Sequence, residues 1–426
     1  MVLFSFVLVI LVWLWPGIYF KKKNKINITH PLLFFPLFVV YTTLIPFSEY
    51  LFGWSAKFAD AGLRAVSSEI ILSGGNAYVI TNLYLIISAI FYFLGVYIFI
   101  KGMPKKANFI RIQSIKFKKI KVKVIFYLLL LPLIIGPIIF FDINQSGNYF
   151  VSQVFGMTFY IPGLLALFNF YAFMFAFIIA IPTIPIILSK ANIFYLFLWS
   201  IVPFDFIRYK IRFKKTLYVL SICLGIFLAT WMIDKRDEFT GPADTNQIIG
   251  LFYTFFFREY SYDVFASDVY HAYNNDKINT RSYLFGEFAE LIPSSIYETL
   301  FGEKKVRMGN LVGYEILREY KAADLGVGFN RHYLTSFYHD LGLIGVMIGS
   351  FIIGLMNGYW FKRNIKIFLK KNSRIYIARY LTIPLNFHYL INGAIFYFLI
   401  NFVFMNVLIS IFKITYKKTI INENPI

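Results

Sequence analysis

Histidines, an arginine and an aspartate crowd the stretch RHYLTSFYHDLGLIGVMIG (331–349), where a polar segment runs directly into a glycine-punctuated apolar one. A histidine or carboxylate at a membrane surface can act as a general base toward a hydroxyl group, so His332, His339 and Asp340 are the candidate catalytic residues. His332 and His339 are seven residues apart and share a helical face if a helix begins that early. The structural alternative is that they only begin a helix, where the charge of Asp340 is favourable.

Five arginines in and around this region are candidate binding groups for an anionic substrate, because a guanidinium presents a two-pronged donor to a phosphate or diphosphate. They are Arg258, Arg281, Arg307, Arg318 and Arg331. Arg258 follows an aromatic run in FFFREY, and its alternative role is to mark the membrane interface by reaching out to water. Arg318 has Glu315 three residues before it as an alternative partner. The basic pair Lys304 and Lys305 is interpreted as a solvated turn.

No pattern signals a metal ion or a soluble nucleotide. The sequence has no His-x-x-x-His pair, no cysteine cluster and no isolated Asp-x-Asp, and Gly326 and Gly328 do not form a dinucleotide or phosphate-binding loop. The single cysteine, Cys223, lies in an apolar run and has no intrachain disulfide partner. We therefore expect neither a metal nor a cofactor.

The composition is that of an integral membrane protein, with 58% hydrophobic and 15% charged residues and a mean hydropathy of +0.64. The net charge of +20 is divided among short loops between apolar segments, so nucleic acid is not an expected partner. Nine segments are long enough to span a bilayer: 2–20, 31–47, 78–100, 124–142, 158–188, 216–233, 342–361, 375–391 and 394–412. A shorter apolar run at 191–204 is predicted to be re-entrant or interfacial. The predicted fold is an all-α polytopic membrane protein of about 9–11 transmembrane helices, with residues 1–426 forming a single membrane domain.

The positions of lysine and arginine predict the orientation, because cytoplasmic loops retain positive charge. Of the 42 basic residues, 29 lie in 21–25, 101–123, 189–215, 362–379 and 413–418, which predicts a cytoplasmic C-terminus. The first segment has no basic n-region and no small-residue cleavage site, so it is predicted to be a retained helix with its N-terminus outside.

The segment 234–340 carries 16 of the 22 acidic residues and is predicted to be one large outer loop inserted between helices. Within it, the apolar run 248–257 is predicted to lie in the interface. The stretch 310–324 is predicted to be an amphipathic helix with Asn310 as its N-cap. After the loop, Gly342, Gly345 and Gly349 lie on one helical face and Gly354 and Gly358 on a second, a spacing that favours close helix approach.

Two motifs carry a family resemblance. FYHDLGLIGVMIGSFIIG (337–354), at the end of the large outer loop and preceded by ELIPSSIYETLFGEKK (290–305), resembles the bacterial O-antigen or oligosaccharide repeat-unit polymerases, including the enterobacterial common antigen type. These inner-membrane proteins carry a large periplasmic loop with an Ile-Pro segment, then an aromatic-x-Asp-aromatic/Leu-Gly-x-x-Gly entry into a late helix. A glutamate often seen just before the aromatic pair is Ser336 here.

The resemblance implies an architecture like that of GT-C-type membrane glycosyltransferases in the bacterial inner membrane. It implies transfer of the growing glycan from undecaprenyl diphosphate to the distal sugar of the next repeat unit, on the periplasmic side. The implied partners are lipid-linked oligosaccharide donor and acceptor, membrane lipid, a chain-length regulator and a flippase. On this interpretation Arg258 and Arg331 stabilise the leaving diphosphate, while Asp340 or His332 acts on the acceptor hydroxyl.

Three other functions stay open beside the favoured polymerase. An O-antigen ligase carries a His-[Asn/Ser/Gln] pair eleven residues before the glycine, where counting back from Gly342 reaches Arg331. A lipid-linked glycan flippase or transporter predicts internal repeats and charges in mid-helix, and neither is visible. A membrane acyltransferase would use His388, which lies inside the weakest predicted helix.

Overall fold

A computed structural model gives the fold of the chain in the ranges that follow. It describes residues 1–23, 26–52, 75–110, 112–113, 161–168, 173–174, 176–177, 202–208, 261–275, 277, 281–289, 292, 294–302, 308–317, 331–387, 390 and 395–422. The predicted helices at 124–142 and 216–233 and the interfacial run at 248–257 lie outside the described residues, so the predicted number of helices stays a prediction.

Four described helices are long and apolar enough to cross a membrane. They are α1 (Val2–Lys23), α2 (Phe34–Phe52), α3 (Asn76–Ile100) and α10 (Thr335–Lys371). They correspond to the predicted segments 2–20, 31–47, 78–100 and 342–361, which are confirmed as long apolar helices. The last helix, α12 (Ile395–Asn422), contains a shorter apolar part at Phe398–Lys413 and covers the predicted segment 394–412. The protein is therefore a mostly helical chain of membrane-spanning type.

Shorter elements connect these helices. They are α4 (Lys105–Asn108), α5 (Ile161–Ala166), α6 (Ser261–Tyr273), α7 (Tyr283–Ala289), α8 (Ser294–Phe301), α9 (Met308–Leu311), a π-helix (Val312–Ile316), α11 (Ile375–Leu381), and 3₁₀ turns at Val202–Asp205 and Pro384–Asn386. Two-residue strands β1 (Ile112–Gln113) and β2 (Ile207–Arg208) pair in parallel. Because helix α9 begins at Met308, Asn310 lies inside the helical run, and its prediction as an N-cap is wrong.

Ring contacts define the relative directions of the long helices. Phe6 of α1 contacts Tyr78 of α3 at 5.6 Å between ring centroids, and Trp13 contacts Tyr92 at 5.5 Å, so α1 and α3 run parallel. Trp13 also contacts Phe35 at 6.0 Å, whereas Phe6 contacts Phe47 at 5.4 Å, so α2 runs antiparallel to α1. The starts of α1 and α3 therefore lie at one end of the bundle, which we call the entry end, and their last residues lie at the exit end.

Glycines let α3 and α10 pack with their backbones close together. A Cβ atom added at Gly95 would lie 2.6 Å from the carbonyl oxygen of Phe351, and one at Gly358 would lie 3.0 Å from that of Val96. A Cβ at Gly354 would collide with the carbonyl of Tyr92. The glycine face formed by Gly354 and Gly358 thus packs against α3, as small residues at such spacing allow. The same contacts show that α10 runs parallel to α3 and begins at the entry end.

The predicted cytoplasmic loops meet at the exit end. Asn27 donates from Nδ2 to the carbonyl oxygens of Ile110 at 3.2 Å and Asp205 at 3.1 Å, which joins the α1–α2 turn to two later stretches. The hydroxyl of Tyr380 donates to the carbonyl of Thr29, which lies in the same α1–α2 turn. Stretches assigned by charge to one side of the membrane therefore come together at one end of the bundle. Which side of a membrane this end faces stays a prediction.

Two predicted spanning segments are not continuous helices where the structure describes them. Within 158–188, α5 ends at Ala166, and hydrogen bonds from the amides of Leu167 and Phe168 to carbonyls three residues earlier close a tight turn. Arg374 then donates to the carbonyl of Leu167 at 2.8 Å, a bond that a continuing helix would make internally. Arg374 lies in a predicted cytoplasmic stretch, so this turn contacts residues that the orientation did not place beside it.

The other wrong prediction is the continuous helix over 375–391. Helix α11 ends at Leu381, and the chain turns into the 3₁₀ segment Pro384–Asn386. Pro384 has no amide hydrogen for the helical ladder, and its ring disfavours helical backbone at the residue before it. The indole Nε1 of Trp360 also donates a hydrogen bond to the carbonyl oxygen of Arg379 at 2.7 Å, near the end of α11. The predicted re-entrant run at 191–204 is described only in its last residues, as the 3₁₀ turn that begins at Val202.

Helix α10 is divided at Gly342. This residue has φ 59° and ψ −142°, a backbone conformation that side chains other than hydrogen rarely allow. The segment 335–341 consequently folds back: a Cβ on Gly349 would lie 2.7 Å from the ring of Phe337, and one on Gly345 would collide with the Phe337 carbonyl. The first glycine face therefore holds the chain's own preceding turn, not a neighbouring helix. The spanning part of α10 begins after Gly342, close to the predicted start.

Candidate active site at the entry of helix α10

The imidazole of His339 lies between two carboxylates from different elements. Its Nδ1 lies 3.0 Å from Oδ1 of Asp268, which helix α6 supplies. Its Nε2 lies 3.9 Å from Oε2 of Glu315, which the π-helix supplies. The ring of Tyr283, at the start of α7, stacks on the imidazole with centroids 3.8 Å apart and an interplanar angle of 18°. All four side chains are buried.

A lysine ties this cluster to the break in α10. Lys277 donates from Nζ to the carbonyl of His339 at 2.6 Å and lies 3.7 Å from Oδ1 of Asp268. Its ammonium group also lies 5.3 Å from the ring centroid of Tyr338. In an unbroken helix the carbonyl of His339 would accept a hydrogen bond from the residue four positions later. The reversal at Gly342 turns the chain at that point, and Lys277 supplies a donor for this carbonyl.

A second charged pair lies on the preceding segment. Nη2 of Arg331 is 2.6 Å from Oε1 of Glu287 in α7, and both side chains are more than nine-tenths buried. The hydroxyl of Ser336 donates to the same carboxylate oxygen at 3.2 Å. Such a pair satisfies two charges that would be costly to bury alone. A diphosphate bound by Arg331 would therefore compete with Glu287 for the guanidinium.

Asp340 has a structural role at the start of α7. Its Oδ1 accepts a hydrogen bond from the amide of Tyr283 at 2.8 Å. Its Oδ2 accepts from the amide of Leu284 at 2.8 Å and from the hydroxyl of Ser282 at 2.6 Å. The carboxylate thus caps the first turn of a helix that is distant in sequence. With both oxygens engaged, Asp340 is a weaker candidate for the general base than His339.

His332 lies in apolar surroundings. Its ring stacks on Phe265 with centroids 5.3 Å apart and an interplanar angle of 11°, and its Nδ1 accepts from the amide of Leu334 at 3.4 Å. Burial lowers the pKa of His332 from 6.5 to about 3, so this imidazole is neutral at physiological pH and a poor proton acceptor. Helix α10 begins at Thr335, so His332 precedes it and does not share a helical face with His339.

The electrostatics of the His339 cluster follow from its burial. Desolvation raises the pKa of the Glu315 carboxyl, and the hydrogen bond with Tyr283 and the charge of His339 partly oppose this effect. Burial, followed by the negative charges of Glu315 and Asp268, raises the pKa of the Tyr283 phenol. Burial therefore disfavours a negative charge on Glu315, whose Oε2 lies 3.9 Å from Nε2 of His339.

The predicted arginines divide into three groups. Arg331 belongs to the buried pair described above. Arg281 is exposed, and its positive charge acts on Glu315, which places it at the rim of the cluster. The remaining candidates, together with Lys304, Lys305 and His388, lie outside the described residues: Arg258, Arg307 and Arg318.

Sequence reasoning missed five members of the site: Asp268, Lys277, Tyr283, Glu287 and Glu315 as a partner of His339. One signal was present, because Glu287 lies in the run YLFGEFA and Asp268 in SYDVFASDVYHAY, where single charges stand among apolar and aromatic residues. The same criterion had selected Arg258. In the part of the chain that the structure describes, no group of three or more His, Cys, Asp or Glu side chains is arranged to hold a metal ion.

This geometry can support proton transfer beside two positively charged side chains. A carboxylate that accepts from Nδ1 fixes the imidazole tautomer, leaves Nε2 as the proton acceptor and stabilises the imidazolium that forms. Lys277 and Arg281 supply positive charge around the same group.

The fold and the site together define a polytopic, mostly helical membrane protein with a buried charged cluster at one end of its bundle. Comparison with family models, with curated proteins and with solved structures gave no match.

Proposed function

We propose that the chain polymerises lipid-linked oligosaccharide repeat units, transferring the growing glycan from undecaprenyl diphosphate to the distal sugar of the next unit. The observation that supports this function best is the convergence at the entry of α10. Four separate parts of the segment 234–340 bring His339, Asp268, Glu315 and Lys277 together there. Polar side chains at the end of a spanning helix suit a substrate whose sugar is carried on a lipid head group.

In the proposed reaction, His339 is the proton acceptor for the acceptor hydroxyl, and Asp268 holds its tautomer. The hydroxyl oxygen forms the new glycosidic bond to the donor's anomeric carbon as the bond from that carbon to the diphosphate oxygen breaks. The electron pair leaves with the lipid diphosphate, whose negative charge the exposed Arg281 faces. The proton on His339 is then released to water or to the departing diphosphate.

The uncharged spanning parts of α3 and α10 favour an enzyme over a transporter. Between Asp340 and Lys362, α10 has no charged residue, and α3 has none along its length. Transport pathways characteristically place ionisable groups in mid-membrane. No feature of the described residues favours the ligase or the acyltransferase.

The test is the length distribution of surface glycan in a strain that lacks this protein, with and without variants restored. The wild-type chain should restore a ladder of repeat units, whereas His339→Gln and Asp268→Asn should give a single unit at wild-type protein abundance. Asp263→Asn is the matched control, because Asp263 is buried on the same helix but accepts from Tyr78 at 3.4 Å, away from His339. It should restore the ladder.

An unchanged ladder in the deletion strain would reject the polymerase. Loss of all surface glycan would instead favour flipping or ligation. Normal chain length in both cluster variants would retain the polymerase and reject His339 as its base.

A further inference from the structure

The helices α7 and α8 carry a continuous set of exposed apolar side chains. Phe285 and Phe288 are three residues apart on α7, and Ile296 and Leu300 are four apart on α8, so each pair lies on one helical face. The ring of Phe301 joins the two helices, with its centroid 5.9 Å from that of Phe285. Leu300 is 65% exposed and Phe288 is 58% exposed. A surface in water rarely carries so many adjacent large apolar groups.

The depth of α7 is set by contacts at both of its ends. Its first amides bind Asp340, at the top of the folded-back segment of α10. Farther along α7, Glu287 binds Ser336 and Arg331, near the start of that segment. Helix α7 therefore runs alongside the folded-back segment, in the opposite direction, from the level of Gly342 toward the bundle interior.

The folded-back segment itself lies beside the first turns of the spanning helix. The hydroxyls of Tyr333 and Ser350 each lie 2.7 Å from that of Ser88, which is in the middle of α3. Tyr333, which lies just before the start of the segment, thus reaches the level of Ser350, two turns into the spanning part of α10. Helix α7 shares this level, where the exposed faces of the bundle meet hydrocarbon and not water.

We propose that α7 and α8 form a membrane-embedded surface that binds the acyl chains of bilayer lipids at the entry end. The surface continues the lipid-facing side of α10, where Leu343 and Ile344 are apolar and exposed, Ile344 at 64%. On α8, Glu298 lies about 200° around the helix from both Ile296 and Leu300, so the exposed surface has one apolar and one acidic edge. Such a division is typical of a helix in the plane of the interface.

This inference depends on the chain crossing a membrane and not on the reaction proposed above. The role of the surface is to hold α7, and with it Glu287 and Tyr283, at a fixed depth in the membrane beside the His339 cluster. A water-soluble loop would leave that depth undefined.

Site-directed spin labelling in lipid bilayers tests the proposal. The full-length chain with Cys223→Ser receives one cysteine at a time: Phe288→Cys, Leu300→Cys, Ile344→Cys as the lipid-facing reference, and Glu298→Cys as the matched polar control on α8. Collision of each label with oxygen, which concentrates in hydrocarbon, is compared with collision with a water-soluble nickel chelate. Each variant is first checked for a single monodisperse species.

Labels at Phe288 and Leu300 should match Ile344, with high oxygen and low nickel accessibility, and the label at Glu298 should be several-fold more accessible to nickel. Nickel accessibility at Phe288 and Leu300 equal to that at Glu298 would place the surface in water and overturn the proposal. Low accessibility to both reagents would mean a protein partner and would also overturn it.

Discussion

His332 should make the folded protein sensitive to acid, and the size of the effect can be worked out from its surroundings. The imidazole is fully buried against Phe265, and burial lowers its pKa to about 3 from 6.5. The folded-state pKa lies below the unfolded one, so the unfolded chain binds more protons between these values. The stability contribution of His332 is complete above about pH 6.5 and is lost progressively as the pH falls toward the folded pKa of about 3.

The loss of unfolding free energy at about pH 5 depends only on protonation of His332 in the unfolded chain. At about pH 5 the folded protein still holds His332 neutral, whereas a histidine in the unfolded chain is protonated about thirty times more often than not. This ratio corresponds to about 2 kcal/mol of unfolding free energy lost between about pH 7.5 and about pH 5. The variant His332→Asn removes the titration and keeps an acceptor for the amide of Leu334.

The assay is unfolding by urea in non-ionic detergent micelles at both pH values. Wild type should lose about 2 kcal/mol more than His332→Asn on acidification. The control is Tyr333→Phe, which loses the hydroxyl contact with Ser88 at 2.7 Å. It should cost about 1 kcal/mol at both pH values, because burial raises the pKa of Tyr333 far above either. Equal acid sensitivity of wild type and His332→Asn would refute the assignment of a neutral buried imidazole.

Three further predictions concern packing and capping. Glu287→Ala should cost about 3–5 kcal/mol in the same urea titration, because it leaves Arg331 as a buried charge without this partner, and the double variant Arg331→Met/Glu287→Leu should recover most of that loss; a loss below about 1 kcal/mol in the single variant would show that the pair is hydrated. Asp340→Ala should cost about 1 kcal/mol and speed amide hydrogen exchange at the first residues of α7, while Asp340→Asn retains an acceptor and should lose less; unchanged exchange in both would contradict the cap. Gly354→Ala should already lower the yield of folded protein in detergent relative to wild type, because its Cβ would meet the backbone of Tyr92, and Gly354→Leu should lower it further; a wild-type yield of Gly354→Ala would argue against the close approach.

The apolar segments predicted the long helices because burial in lipid requires length and hydrophobicity, and both are visible in the sequence. The two segments wrongly predicted as continuous helices are those in which a side chain distant in sequence donates a hydrogen bond to a backbone carbonyl. Arg374 binds the carbonyl of Leu167, and Trp360 binds that of Arg379. Only Pro384 gave a local warning of a break. A hydropathy pattern records how apolar a segment is and not which distant donor will interrupt its helix.

The sequence predicted some of the site residues but not their acidic partners. His339 and Arg331 were selected from their place beside a membrane helix, but their acidic partners are distant in sequence: Asp268 is 71 residues from His339, and Glu287 is 44 residues from Arg331. Asp340 was selected for the same reason as His339, yet it caps a helix. Residue type and position did not distinguish a carboxylate that binds two amides from one that binds an imidazole.

The reversal at Gly342 explains why so much polar chemistry adjoins a membrane helix. A straight helix from Thr335 would carry His339 and Asp340 on the spanning helix itself, about one turn from its start. Because the chain folds back at Gly342, these residues belong to a short segment packed beside the rod, and the carbonyl of His339 is available to Lys277. The spanning part after Gly342 can then remain uncharged until Lys362. One residue with positive φ thus separates the charged cluster from the uncharged spanning part of α10.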